Sequence, residues 1–377
     1  VRTKGVHPTV EAGRGKLVST NPTNFFIGIL LNLFIAFSVQ ATVILQYHHV
    51  SKDTPPSTSI SPELFEQHLD YLRDNEFRVI SLQQLILLLR KRSPLPDKSV
   101  VITFDDGYRS IYENALPRLK ARNFPFTVFV NTRPLIQKLA HFMSWEQLKF
   151  LISNNGQVAN HSMTHPHMIR RLAGETESQW RSRMRLEVIN AQSSLESKLG
   201  VTIKAFAYPY GEYDPSLKAL LAELDFVALA QHSGAVSIDS DLQALPRFSF
   251  GGNYGAMPEF ATKINTLALP VDSVQLLNED AKPLASHVLS PSVSRPRLKI
   301  RLQPGYSGLD LNCFFSGEGK VARQSSAGEF TFAPQNSLPV GRSRYNCTAP
   351  SGAKGRFYWY SQPWIRPEMD GSWYDEN

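Results

Sequence analysis

The sequence predicts an α/β fold followed by a smaller antiparallel β region, and three observations carry that expectation. Between Val43 and about Pro270 short apolar runs alternate with amphipathic segments, several of the runs end in polar, chemistry-bearing residues, and after Pro270 the helical period disappears. Strand and helix in alternation imply parallel strands joined by crossover helices, as an open sheet or a barrel. At 377 residues, 42% hydrophobic, and about 100 to 200 residues per domain, the chain has room for two domains and is not disordered as a whole.

The first element is a leader. Phe25 to Val39 reads FFIGILLNLFIAFSV, fifteen uncharged residues with basic residues before them and small residues at Val39 and Ala41 after them. That length is short for a bilayer span and fits a signal-peptide core, so residues 1–41 are expected to be cleaved after Ala41, which implies a secreted or periplasmic protein. An uncleaved membrane anchor is the alternative, and a buried core helix a third. The leader also explains part of the charge. Of a net +7, four basic residues against one acidic residue lie in 1–41, leaving +4 for the remainder, too little to single out nucleic acid as a partner.

The strands of the α/β part are read as Val43–Tyr47, Val100–Phe104, Phe126–Val130, Gln157–Asn160 and Ala205–Tyr208. Helical patterns separate them at Pro62–Asn75, Leu82–Arg92, Glu113–Arg122, Ser144–Asn154, Thr176–Leu199 and Pro215–Leu224. Ser61-Pro62 supplies a cap and a first-turn proline, and Gly200 stops the long helix. Residues 42–271 are therefore assigned to the α/β domain.

Residues 272–377 carry alternating short runs, Arg297–Leu302, Leu309–Phe315, Glu329–Ala333 and Gly355–Ser361, among many Ser, Gly and Pro. This is the pattern of a small antiparallel, sandwich-like β domain. Its aromatic cluster around Phe357–Tyr360, Trp364, Trp373 and Tyr374 reads as core, with a sugar-stacking surface as the alternative. Cys313 and Cys347 are the two cysteines of the chain; they exclude a four-thiolate zinc or iron–sulfur site, and an exported protein can pair them as a disulfide.

The chemistry gathers at strand ends. Val100–Phe104 runs into Asp105-Asp106-Gly107, and the strand before Asn160 runs into His161-Ser162-Met163-Thr164-His165. Two His separated by three residues, together with a carboxylate, suit Zn²⁺ or a related divalent ion, and three protein ligands leave positions open, as catalytic sites do. Such an ion polarises a carbonyl and activates water, and a second carboxylate kept off it can take a proton. A third cluster, Tyr208-Pro209-Tyr210-Gly211, is a constrained turn, and the opening strand ends in His48-His49.

These residues resemble the polysaccharide deacetylase family, the NodB-homology group of carbohydrate esterase family 4. Thr103–Gly107 reads TFDDG, like the family's first motif; His161–His165 fits its H[ST]xxH motif; and Tyr208–Gly211 stands where the third motif places its Pro-Tyr. The resemblance spans roughly residues 43–265 and implies a deformed (β/α) barrel. It makes Asp105 the general base, Asp106, His161 and His165 the ligands of a divalent metal (Zn²⁺ first, Co²⁺, Ni²⁺ or Mn²⁺ as alternatives), and the Tyr210 amide an oxyanion donor.

Two departures stand out. Where the family has an Arg two positions before the Pro, this sequence has Ala207, and Arg247 is expected to supply the charge instead. The late Leu-x-His that provides the general acid has no clear copy, since His232 lacks the leucine context. Leu45–Val50 instead resembles the permuted branch that includes poly-β-1,6-N-acetylglucosamine N-deacetylases, where that His has moved to the front. His48 is then the general acid, with His49 as second choice, because adjacent strand residues face opposite sides.

The resemblance implies removal of N-acetyl groups from N-acetylglucosamine-containing polysaccharide. O-acetyl ester hydrolysis on xylan or another glycan, and glycan binding without catalysis, are the alternatives. The expected partner is an acetylated polysaccharide, with no nucleic acid, and a membrane only if the leader stays uncleaved. Oligomeric state is not encoded in any of these features.

Overall fold

The strand Thr42–Tyr47 pairs on one side with Ser99–Phe104 and on the other with Phe248–Ser249, in both cases parallel, as the alternation of apolar runs and helices requires. This computed structural model describes residues 41–200 and 202–375, so the leader prediction lies, apart from Ala41, outside the described residues. The sheet has eight strands. From one edge it runs Phe248–Ser249, Thr42–Tyr47, Ser99–Phe104, Phe126–Val130, Gly156–Asn160, Ala205–Ala207 and Val227–Leu229, with the short Arg78–Val79 also on Ser99–Phe104. It curls until its edges approach: Ala230 N donates to Leu245 O and Arg247 N to His232 O, both at 2.9 Å. The result is the expected deformed (β/α) barrel.

Register places the chemistry. Tyr47 pairs with Phe104, Phe104 with Val128, Val130 with Asn160, Asn160 with Phe206 and Ala207 with Leu229. The residues that follow these strands, His48, Asp105, His161 and Tyr208, therefore all emerge at the carboxyl end of one sheet, where α/β folds assemble their sites.

The helices form where capping chemistry allows. The Ser61 hydroxyl accepts from Leu64 N at the start of Pro62–Asp74, and Thr176 with Gln179 closes a capping box on Glu177–Leu199, which ends at Gly200 with φ +87°. One expectation needs correction. The segment read as a helix over Glu113–Arg122 starts as a π turn, Ile111–Ala115, and becomes α-helical over Leu116–Ala121. Pro117 has no N–H to continue an i→i−4 ladder from the preceding turn, so it sits in the first turn of the α segment. The short helices Thr132–Ile136 and Met257–Ile264 were not anticipated. Among the described residues no helix is long and apolar enough to cross a membrane.

Behind the barrel lie a five-stranded and a four-stranded sheet, antiparallel except where Leu267–Ala268 runs parallel to Phe357–Arg366. Leu298, Ile300, Phe330 and Phe332 join Cys313, Tyr345 and Trp364 in a core continuous with barrel residues Phe248, Phe250 and Phe260. Trp359 bridges the two parts by setting its ring edge-on to Phe248, centroids 5.2 Å apart. Residues 41–375 thus pack as one unit. Cys313 and Cys347 are register partners on adjacent strands and form a disulfide.

Candidate active site

Asp105 leaves its strand with its amide bonded to Tyr47 O, and the chain then turns sharply: Asp106 has φ +70° and Gly107 φ +78°. A Cβ on Gly107 would come within 3.3 Å of Val130, so glycine suits this turn on both counts. The histidine loop is held in a comparable way. Asn160 Oδ1 accepts from Ser162 N, Ser162 Oγ accepts from His165 N, and the Glu187 carboxylate accepts from the Met163 and Thr164 amides and the Thr164 hydroxyl. Ser162 and His165 have φ of +66° and +59°, and Tyr210, in the third cluster, +58°. Positive φ in non-glycine residues costs about 1–3 kcal/mol each. Four such residues around one opening mark a place where geometry is imposed on the backbone.

Asp106 Oδ1 stands 3.3 Å from His161 Nε2 and 3.4 Å from His165 Nε2. His161 Nδ1 lies 2.8 Å from Ala207 O. A carbonyl only accepts, so Nδ1 carries the proton of the neutral ring and Nε2 presents its lone pair to a carboxylate oxygen. Two acceptors facing each other call for a cation between them. Ligand atoms of Asp106, His161 and His165 all lie within 4.8 Å of one another, so the donor set fits a divalent ion. The two carboxylates make this place attractive to positive charge. Burial pulls the His161 imidazole down, but Asp106 and Asp105 outweigh it and hold it above its usual range. Burial, with His161 beside it, pushes His165 down to about 4. Asp106 stays well below the usual carboxylate range, its burial being overridden by His161, with His48 and His165 adding to the effect.

Asp105, fully buried, belongs to a different network. Arg247 Nη1 reaches its Oδ1 at 2.7 Å and Arg247 Nη2 its Oδ2 at 2.8 Å, a two-pronged pair with no exposure on either side chain. Gln46 Nε2 donates to Oδ2 at 2.6 Å, and Ser249 orients Gln46 through its Oε1. Arg247 is fixed in turn by Nε donating to Ala230 O. Burial alone would raise the Asp105 carboxyl; the Arg247 charge reverses this and holds it below its ordinary value. Oδ2 already accepts two bonds and Oδ1 one strong one, so Oδ1 keeps the open acceptor direction.

His48 and His49 depart from the alternation argument. The strand ends at Tyr47, His48 lies in a bend, and His49 opens a short strand paired with Ser59–Ile60. Facing sides of one strand therefore do not separate them. The charge of His48 is felt by Asp105, Asp106 and His165. His49 is buried, stacked on Tyr108 with centroids 3.6 Å apart, and pushed by burial down to about 4.

Tyr210 connects the histidine loop to the rest of the molecule. Its ring stacks on His167 at 3.8 Å and meets His165 edge-on at 4.6 Å. His167 Nδ1 bonds the Glu212 carboxylate at 2.8 Å, and Tyr374 OH donates to the same carboxylate at 2.6 Å. Arg170 lies over the Trp373 and Tyr374 rings and donates to Tyr374 O. Trp180 is fully buried and donates to Met168 O. Gln46, Glu187 and Glu212 were missed. Gln46 had a signal, a polar residue inside an apolar strand; the two glutamates had none.

Residues 92–229 match the polysaccharide deacetylase family. Among the chain's relatives, the Escherichia coli (strain K12) poly-β-1,6-N-acetyl-D-glucosamine N-deacetylase is 25% identical over 261 residues, 60% of this chain and 38% of that enzyme. YxkH of Bacillus subtilis (strain 168) is 28% identical over 205 residues, 54% of this chain and 69% of YxkH. In structure, IcaB from Ammonifex degensii is similar with a TM-score of 0.52 and 27% identity, covering 60% of this chain and 97% of IcaB. The chain spans well under half the length of the E. coli relative, and the family match at 92–229 lies within the barrel.

Proposed function

We propose that this protein is a metal-dependent N-deacetylase of N-acetylglucosamine-containing polysaccharide, acting outside the cytoplasm. The observation that carries the reading is the placement of the Asp106–His161–His165 triad beside a separate, arginine-paired carboxylate, Asp105. The N-acetylglucosamine polymer is suggested by the names of the relatives.

A divalent ion held by Asp106, His161 and His165, with Zn²⁺ first and Co²⁺, Ni²⁺ or Mn²⁺ next, would polarise the acetyl carbonyl and acidify a water. The rest is work for the chain's own groups. Asp105 Oδ1 accepts the proton of the attacking water, and Arg247 and Gln46 keep that carboxylate ionised and fixed in orientation. The Tyr210 amide is assigned to the developing oxyanion. His48 delivers a proton to the departing amine, and His49 is the second candidate for that step.

Acetate release tests the reading. Purified protein with measured metal content, incubated with N-acetylglucosamine oligomers, should release acetate and leave free amines. An O-acetyl esterase would act on acetylated xylan instead, and binding without turnover would identify a glycan-binding protein. Absence of acetate from every substrate by metal-loaded protein overturns the proposal.

A further inference from the structure

Asn131 follows the strand Phe126–Val130 and is 6% exposed, and its Oδ1 meets no hydrogen-bond donor. It is the N-cap residue of Thr132–Ile136, a position where asparagine ordinarily caps with its side chain, yet it makes no such bond. The side chain is turned another way. Val128 and Val130 pack with the helix residues Leu116, Leu119 and Leu148, whereas Phe129 packs with Ile44, Val101 and Ala159 of other strands, inside the barrel. With φ −84° and ψ 123° the backbone stays extended through Asn131, which therefore shares the inward face of Phe129.

On that face its neighbours belong to the site. Val130 pairs with Asn160, and the bonds from His161 N to Val130 O at 3.0 Å and from Thr132 N to Ser162 O at 3.3 Å carry the register past the strand ends, which sets Asn131 beside His161. On the other side Phe104 pairs with Val128, so Asp105 stands level with Phe129, and the Arg247 guanidinium that grips Asp105 lies over the Phe129 ring at 5.5 Å. Asp106 and His161 come from the two strands that flank Phe126–Val130, and their approach to 3.3 Å spans the end of that strand. Asn131 stands at that end. A buried carbonyl oxygen without a donor is destabilising and calls for an occupant. The attacking water can be that occupant: it carries two protons, Asp105 Oδ1 takes one, and the other needs an acceptor.

We propose that Asn131 Oδ1 accepts the second O–H of the attacking water and so aims the lone pair of that oxygen at the acetyl carbon, a role that rests on the deacetylase reading. One proton passes to Asp105 Oδ1 as the water oxygen bonds to the carbonyl carbon. The remaining O–H keeps its bond to Asn131 through the tetrahedral stage. Cleavage of the carbon–nitrogen bond then follows with the proton that His48 gives to the amine.

Full-length, metal-loaded Asn131→Leu and Asn131→Asp proteins test it, each compared with wild type for bound metal, melting temperature and hydrolysis of two probes, N-acetylglucosamine oligomers and 4-nitrophenyl acetate. Leucine has a similar size and no acceptor. Asn131→Leu should keep its metal and melt no lower than wild type, because an acceptor without a donor gives way to an alkyl group. Its kcat/KM should fall by about tenfold or more, the worth of one hydrogen bond, and by a similar factor on both probes, since amide and ester are attacked by the same water. Asn131→Asp, which keeps an oxygen in place, should lose less. Unchanged rates in Asn131→Leu overturn the proposal. So does a loss of bound metal, which would make Asn131 a ligand, and so does a fall confined to the amide probe, which would place the bond at the acetamido N–H instead. If the deacetylase reading alone fails, no glycan yields acetate while 4-nitrophenyl acetate is still hydrolysed, more slowly in Asn131→Leu, so the two failures are distinct.

Discussion

Arg247 grips Asp105 with both prongs of its guanidinium, 2.7 and 2.8 Å, in a place where neither side chain meets solvent. The partners are 142 positions apart. They meet because Arg247 closes the curl of the sheet next to His232 O while Asp105 tops a central strand. In the sequence Ala207 stands where the resemblance expects an arginine, and we propose that Arg247 fills that electrostatic need from another strand.

Arg247→Ala should leave Asp105 as an unpaired buried charge. Removing one partner of such a pair costs about 3–5 kcal/mol, measurable by denaturant unfolding. The Asp105 carboxyl, now held down by Arg247, will rise, so the acid limb of the pH–rate profile should move to higher pH. The value of kcat/KM should fall by about 10²-fold or more. Arg247→Lys keeps charge but loses the fork and should recover stability better than rate. An unchanged pH–rate profile in the folded Arg247→Ala variant would remove Arg247 from this role.

Asp106→Asn, His161→Ala and His165→Ala should each reduce bound divalent metal, read by elemental analysis of dialysed protein, together with acetate release. Chelation followed by re-addition of Zn²⁺, Co²⁺, Ni²⁺ or Mn²⁺ should restore activity to wild type and not to the Asp106 variant. Full metal occupancy in all three variants would locate the ion elsewhere.

His48→Ala is expected to lower kcat by about 10²–10⁴, the usual worth of a positioned acid, with metal content intact. His49→Ala, which removes a ring stacked on Tyr108, should act mainly on stability, seen as a lower melting temperature. The reverse pattern would make His49 the acid.

His68 lies far along the chain from these motifs and offers a pH test of stability. Its Nε2 donates to Gly255 O at 2.8 Å, and its Nδ1 therefore accepts from Tyr47 OH at 2.9 Å. Burial pushes this imidazole down to about 4, against the bond to Gly255 and helped by Lys263. The unfolded chain binds the proton more readily, so unfolding takes up protons between about pH 6.5 and 4, and stability is lost as pH falls through that window. His68 contributes up to about 3 kcal/mol of that loss, and buried His232 and His287 act with the same sign. His68→Gln should flatten the fall in unfolding free energy, measured by denaturant titration from pH 7 to 4. An unaltered slope would mean that His68 keeps a normal affinity for protons.

The legible parts of this fold were those written locally. Ser61-Pro62, the Gly200 stop and the apolar runs at Thr42–Tyr47 and Ser99–Phe104 announce their elements within a few residues. The Asp and His motifs were legible because metal-ligand chemistry restricts residue type and spacing together. Short strands such as Val227–Leu229 and Phe248–Ser249 were not, since three or two residues carry no period and exist through their neighbours. Glu212 could not be found for a related reason. A single carboxylate after a turn resembles any surface residue until His167 and Tyr374 are seen to enclose it.

That enclosure bears on modularity. The loop that presents His161 and His165 is steadied through His167 and Glu212 by Tyr374, and Arg170 clasps Tyr374 in turn. A barrel followed by a β region can be built as a cassette, with whatever follows it as cargo. Here the cargo reaches back into the machinery, so a hybrid carrying this barrel on a foreign partner would inherit the Asp106, His161 and His165 cluster without the brace that sets its angle.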